Sequence, residues 1–286
     1  MAVYKRSYHG YAGELTPRWS RFLILSRAAF RQLFRGRAMT GFFLACLLPF
    51  IVTALLIYLS HSATLLSTFK IAGGRLFDID NQFFDKYLSL QVSVAFILTA
   101  FVGPGLISPD LSNNALVLYF CRPFSRSEYV LGKLAVLAGL LSCMSWIPGL
   151  LLFGIESSLS GWSWMWNNLY IAGAIFVGSW ILIVVLSLIA LALSAWVKWK
   201  PVAGALVLGV MFVSAGLGEA IDGIMRTSWG HLINIPALLL TVWASLFRTE
   251  LPFQISPLSS WIVLFAVSGA CVFLLGRKLR AYEVVR

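Results

Sequence analysis

Residues 104 to 134, PGLISPDLSNNALVLYFCRPFSRSEYVLGKL, form a short polar and charged island between two long apolar runs. The first run closes near Ser108. The next opens at about residue 131, just before Lys133. Between them stand Asp110, Asn113, Asn114, Arg122, Pro123, Ser125, Arg126 and Glu128. Long apolar runs separated by a loop of this kind describe a chain that crosses a membrane several times. Acids, amides and a turn in that loop are more than a topology signal requires, so the loop itself becomes the candidate functional element.

Working outward, composition agrees. Of 286 residues, 59% are hydrophobic and only 12% charged, with a mean hydropathy of +0.86. A soluble domain carries about 25% charged residues, so most of this chain does not face water. The 23 Gly and 11 Trp suit close helix packing and the headgroup level of a bilayer. A span needs about 20 apolar residues. Six candidates meet that, at about 39–60, 88–108, 131–153, 170–195, 201–218 and 258–276. The segment 235–247 is apolar but too short to cross, and reads as an interfacial or re-entrant element. The expected fold class is therefore all-α, a single polytopic membrane domain over residues 1–286.

Orientation follows from Lys and Arg. With the N-terminus in the cytoplasm, seventeen of the 22 basic residues fall inside, which satisfies the positive-inside rule with both termini cytoplasmic. The net charge of +11 is thus mostly topology, with contact to anionic membrane lipids. Nucleic acid is not implied. Residues 1–38 form a basic cytoplasmic segment. Within it Trp19, Phe22, Leu23, Phe30, Leu33 and Phe34 recur at helical spacing, and Arg27, Arg31 and Arg35 form an i, i+4 ladder on another face. That pattern is an amphipathic helix lying in the interface.

In the loop, Ser108 or Asp110 can cap a short helix running through Asn113 and Tyr119. Arg122-Pro123 ends it, because the residue before proline disfavours helix. Ser125 or Ser127 then caps the third span, with Glu128 in its first turn. The expectation is a short membrane-parallel helix followed by a sharp turn. On the other side, Asp78, Asp80 and Asp85 lack the spacing of a calcium loop. Trp162, Trp164 and Trp166 read as an aromatic belt, with Glu156 at headgroup level. Pro49, Pro104 and Pro148 are placed to kink spans. Ala174 with Gly178, and Ala205 with Gly209, are candidate close-packing pairs.

No Asp, Glu, Lys, Arg or His is expected in the middle of a span. This argues against a proton-coupled carrier or a charge-lined channel. Gly132-Lys133 lacks the flanking residues of a phosphate loop, so no nucleotide site is read in this chain. The four Cys and three His show no metal-ligand spacing. A membrane enzyme would have to assemble His61, His231, Glu219 and Asp222 from separate loops.

The run SPDLSNNALVLYFCRPFSRSEYVLGKL resembles the cytoplasmic loop of type-2 ATP-binding-cassette exporter permeases. Members show an acid followed by Asn and an apolar stretch, then Arg-Pro-x-Ser-Arg-x-x-Tyr/Phe-x-x-Gly-Lys. Here these are Asp110, Asn113 and Asn114, then Arg122, Pro123, Ser125, Arg126, Tyr129, Gly132 and Lys133. The resemblance implies a transmembrane permease subunit that pairs with a second permease chain, identical or similar. It implies a separate cytoplasmic ATP-binding subunit that carries ATP and Mg, and no cofactor on this chain. Residues Asp110 to Arg126, with Glu128, would be the coupling helix seated on that ATPase, and the setting a bacterial plasma membrane. The competing expectation is a non-transporting scaffold or sensor that tethers a cytoplasmic partner through the same loop.

Overall fold

The computed structural model describes residue 17 and residues 20–62, 78–120 and 125–280. Trp19, Arg122 and Pro123 lie outside them. All regular structure among the described residues is helical. In chain order the helices are α1 (Arg21–Leu33), α2 (Arg37–Ala45), α3 (Leu48–Ser60), α4 (Asn81–Val102), α5 (Pro104–Ser112) and α6 (Ala115–Phe120). They continue with α7 (Arg126–Met144), α8 (Trp146–Ser160), α9 (Trp162–Asn167), α10 (Leu169–Trp196), α11 (Lys200–Met225), α12 (Ile235–Phe247) and α13 (Pro257–Arg280).

Six helical rods are long and apolar enough to cross a membrane: Arg37–Ser60, Asn81–Ser112, Arg126–Ser160, Leu169–Trp196, Lys200–Met225 and Pro257–Arg280. Each contains one of the six apolar runs read from sequence. The chain is an all-α polytopic membrane protein. The rods exceed the predicted runs because their polar ends stay helical beyond the apolar stretch.

Three rods are interrupted, each beside a proline. Pro49 and Pro104 begin α3 and α5, and Pro148 sits in the first turn of α8. Proline brings no N–H, so the carbonyl four residues earlier loses its helical donor. For Pro148 that carbonyl is Met144 O. The amide of Gln91, fully buried in α4, donates to it at 2.6 Å. A polar side chain from the second span thus repairs the break in the third. At the break in the second rod, Gly103 leaves room for Ala190 of α10, whose Cβ would lie 2.6 Å from any Cβ placed there.

The fourth rod is the centre. Of its most apolar window 72% is buried, against 17%, 28% and 22% for the first, fifth and sixth rods. Those three therefore turn apolar faces outward, as spans facing lipid or another subunit do. The small-residue pairs divide. Ala174 is buried, and the Trp243 indole lies against Gly178, donating Nε1–H to the Gly178 carbonyl at 2.9 Å. A Cβ added at Gly209 would meet no other described residue within 4 Å outside its own helix backbone. The close approaches on α11 are instead at Gly204, against the Ala100 carbonyl, and at Gly218, against the Gly230 carbonyl.

Successive rods alternate in direction, so the molecule has two faces. One carries the ends at Arg37, Ser112, Arg126, Trp196, Lys200 and Arg280, and is called the basic face below. There Lys278 lies over the Trp196 ring at 5.0 Å and the Lys200 side chain lies against Gly105. At the opposite face the Asn81 amide donates to the Phe247 carbonyl at 2.8 Å, and Arg248 lies over the Tyr170 ring at 4.7 Å. The short helix α12 ends there, while its first residue, Ile235, shares a cavity with Ile189, Val210 and Val267. It dips into the bundle and returns, so of the two readings of 235–247 the re-entrant one matches its packing.

Helix α1 is amphipathic as expected. Arg27, Arg31 and Arg35 are exposed, and Phe22, Phe30, Leu33 and Phe34 are half-buried. Leu23, expected on the apolar face, is exposed because it lies on the side of α1 turned away from α7. Its apolar side rests on α7: the Ser26 hydroxyl donates to the Gly132 carbonyl at 2.8 Å, and the Phe30 ring fills the space beside Gly139.

Candidate coupling site at the basic face

The second rod continues as helix to Ser112, which carries Asp110 past the end of the apolar run. It stops because Asn114 adopts φ of +52°, a left-handed conformation that asparagine tolerates better than most residues. The backbone N–H groups of Asn113 and Asn114 bond back to Pro109 and Leu111. The single helix capped by Ser108 or Asp110 is therefore replaced by two pieces meeting at Asn113-Asn114. Ser108 is no cap. It is fully buried inside α5, where its N–H donates to the Ser194 hydroxyl at 3.0 Å and its hydroxyl to the Ser194 carbonyl at 3.2 Å.

Helix α6 follows the turn. Leu116 is buried and fixes it to the bundle, while Leu118 is 71% exposed. Asn113 and Asn114 are exposed beside it. The Tyr119 ring packs on Tyr129 at 5.7 Å. Burial, with the Asp110 charge adding to it, pushes the Tyr119 phenol up, so it stays neutral.

The third rod starts at a complete capping box. The Glu128 N–H donates to the Ser125 hydroxyl at 3.2 Å, and the Ser125 N–H donates to the Glu128 carboxylate at 2.6 Å. Of the two serines considered, Ser125 is the cap. Ser127 lies beside it, with 3.0 Å between the hydroxyl oxygens. Two otherwise orphaned N–H groups are satisfied, which fixes where α7 begins. Arg126 is its first residue and is half-buried.

Asp110 joins these pieces. Its carboxylate lies 2.7 Å from Lys133 Nζ and accepts the Tyr129 hydroxyl proton at 2.7 Å. The Asp110 and Lys133 side chains are 17% and 7% exposed, and Tyr129 is fully buried. Lys133, read from sequence as a topology residue within a motif, is thus a buried ion-pair partner. Ser125, Arg126 and Glu128 begin α7, Asp110 meets that helix further along at Tyr129 and Lys133, and Asn113 and Asn114 are exposed. The arrangement links α5 to α7 and leaves α6 projecting at the turn between them.

The opposite face holds two separate clusters. His231 lies 3.3 Å from Asp222 and 3.9 Å from Glu219, and Asp222 also accepts the Gly230 and His231 N–H groups. His61 is elsewhere, 3.2 Å from the Ser160 hydroxyl and 3.7 Å from Glu156. Glu156, one turn before the end of α8, faces its neighbours and not solvent. It is fully buried and accepts the Ser160 hydroxyl at 2.5 Å, because helix α8 carries it into the interface with α3. Asp80 caps α4 by accepting the Phe83 N–H, and Asp85 accepts the Thr249 hydroxyl. Among the described residues no group of three or more His, Cys, Asp or Glu could hold a metal ion. No protein-family model matches this chain, and no curated protein matches it.

Proposed function

We propose that this chain is the transmembrane permease subunit of an ATP-binding-cassette exporter. In this reading the basic face is cytoplasmic and the membrane is a bacterial plasma membrane. Two permease chains form the pathway. A separate ATPase subunit, holding ATP and Mg, docks beneath and grips α6 and the Asn113-Asn114 turn. The observation that carries the reading is the Asp110–Lys133–Tyr129 node. A push on α6 reaches the second and third spans together, because both are fixed to one buried carboxylate. Rigid elements of this kind are what rocking of helices in alternating access needs. The exposed Leu118 beside exposed asparagines offers the mixed apolar and polar surface that a protein cleft binds. The resemblance of residues 108–134 to the permease loop is independent of that geometry.

The test is a mild-detergent pull-down of the tagged full chain from its native host, with ATPase activity measured on what is captured. The expected result is an ATP-binding subunit that is lost with Leu118→Asp and with Arg126→Glu while membrane insertion persists. Capture of a partner without ATPase activity would favour the tether. Capture that survives both substitutions would remove α6 from the interface.

A further inference from the structure

An apolar cavity of about 360 Å³ opens between α11 and α13. Leu193 and Trp196 of α10 line it, with Val210 of α11, Ile235 of α12, and Val267 and Cys271 of α13. No charged or hydrogen-bonding side chain lines it apart from the Trp196 indole and the Cys271 thiol. Both flanking spans are mostly exposed along their length, so the cavity lies at the outer, apolar surface of the bundle.

One end is different. Trp196 stands at the basic face, half exposed, with the Lys278 ammonium 5.0 Å from its ring centroid. Arg277 and Arg280 share the last turn of α13 with Lys278. Lys198 and Lys200 follow Trp196, and neither 196–200 nor 277–280 contains an acid. A cation over an indole at the headgroup level, on the rim of a hydrocarbon-lined cavity, matches a molecule with an anionic head and an apolar tail. Basic sites between spans take such headgroups, and lysine extends its charge to the interface from an apolar stem.

We propose that this cavity holds an acyl chain of one anionic phospholipid from the leaflet at the basic face, with its phosphate on Lys278. The lipid fills space between the fifth and sixth spans and supports the buried start of α12. The site rests on the membrane-spanning fold and not on the coupling reading, so the two stand or fall separately.

The experiment uses the full-length protein in mild detergent, delipidated, then offered equal phosphatidylglycerol and phosphatidylcholine of matched chains. Native mass spectrometry reads what is retained. The expected result is one phosphatidylglycerol per chain, favoured at least tenfold. Val267→Trp, which fills the cavity, should abolish retention, and Lys278→Gln should level the two lipids. A diazirine placed in the acyl chain of phosphatidylglycerol gives a second readout on the unaltered protein. Its adducts should concentrate on residues 193–196 and 267–274. Equal retention of the two lipids by the unaltered protein, or adducts spread evenly over all exposed spans, would overturn the site. So would cross-linking of Cys271 to a second copy of the chain, which would mean that protein covers the cavity.

Discussion

Asp110 and Lys133 are a charged pair with little access to water, and such pairs have an asymmetric energetics. Removing one partner leaves the other buried and uncompensated, at a cost of about 3–5 kcal/mol, whereas removing both costs much less. We expect Asp110→Ala and Lys133→Met each to destabilise the protein by about that amount in equilibrium unfolding from mixed micelles. The double variant should be more stable than the sum of the two losses implies. Additive losses would show that the two groups act separately. Tyr129→Phe removes one hydrogen bond to the same carboxylate and should cost about 1.5–3 kcal/mol, the range for a bond to a charged group. This node was only half legible in sequence. Asp110 and Lys133 both stand at ends of apolar runs on the same side of the membrane, which places them at one depth. Nothing in a single sequence tells which helices are neighbours, so their pairing was not visible. The same limit hid the surroundings of Glu156: a lone acid near a run of tryptophans gives no sign that His61 of the first span lies beside it.

At the scale of the element, local rules were readable and tertiary ones were not. The cap at Ser125 with Glu128 three residues on is a pattern within four residues, and the structure shows it closed. The short helix before it was misplaced, because the sequence pattern makes Ser108 a plausible cap and does not reveal its partner Ser194. The left-handed turn at Asn114 also had no outward signal beyond the Asn-Asn pair. The capping box gives a prediction of its own. Ser125→Ala should cost about 1 kcal/mol of stability, while Ser125→Thr should retain most of it. If, as proposed, α6 couples a separate ATPase subunit to α7, Ser125→Ala should also lower the ATPase activity of the captured complex more than it lowers the amount of complex. Equal falls in the two would reduce the cap to a stabilising device.

At the scale of the whole molecule, the six spans were legible because hydrophobic length is a bilayer-imposed quantity. Their arrangement around the fourth was not, although its 28-residue run is the longest without a proline break. The two-faced layout makes a topology prediction. Single cysteines at Ser112 and Ser127 should react with a membrane-impermeant maleimide only in inverted vesicles, and at Ser158 or Thr227 only in intact cells. The four endogenous cysteines must be replaced first. Labelling of Ser112 from the cell exterior would invert the assignment of the basic face and with it the docking of any cytoplasmic partner.

The amide of Gln91 has a meaning for the order in which the chain is made. The second span leaves the ribosome before the third, so for a time Gln91 has no Met144 carbonyl to bond. An unpaired carboxamide in hydrocarbon is costly. The neighbour already present is the first span, whose Cys46 carbonyl lies 3.5 Å from the same nitrogen. That carbonyl sits at the break in the first span, as Met144 sits at the break in the third. Gln91 is therefore placed to be held by an earlier partner and handed to a later one, and the two broken rods frame a temporary and a final berth for a single side chain during insertion.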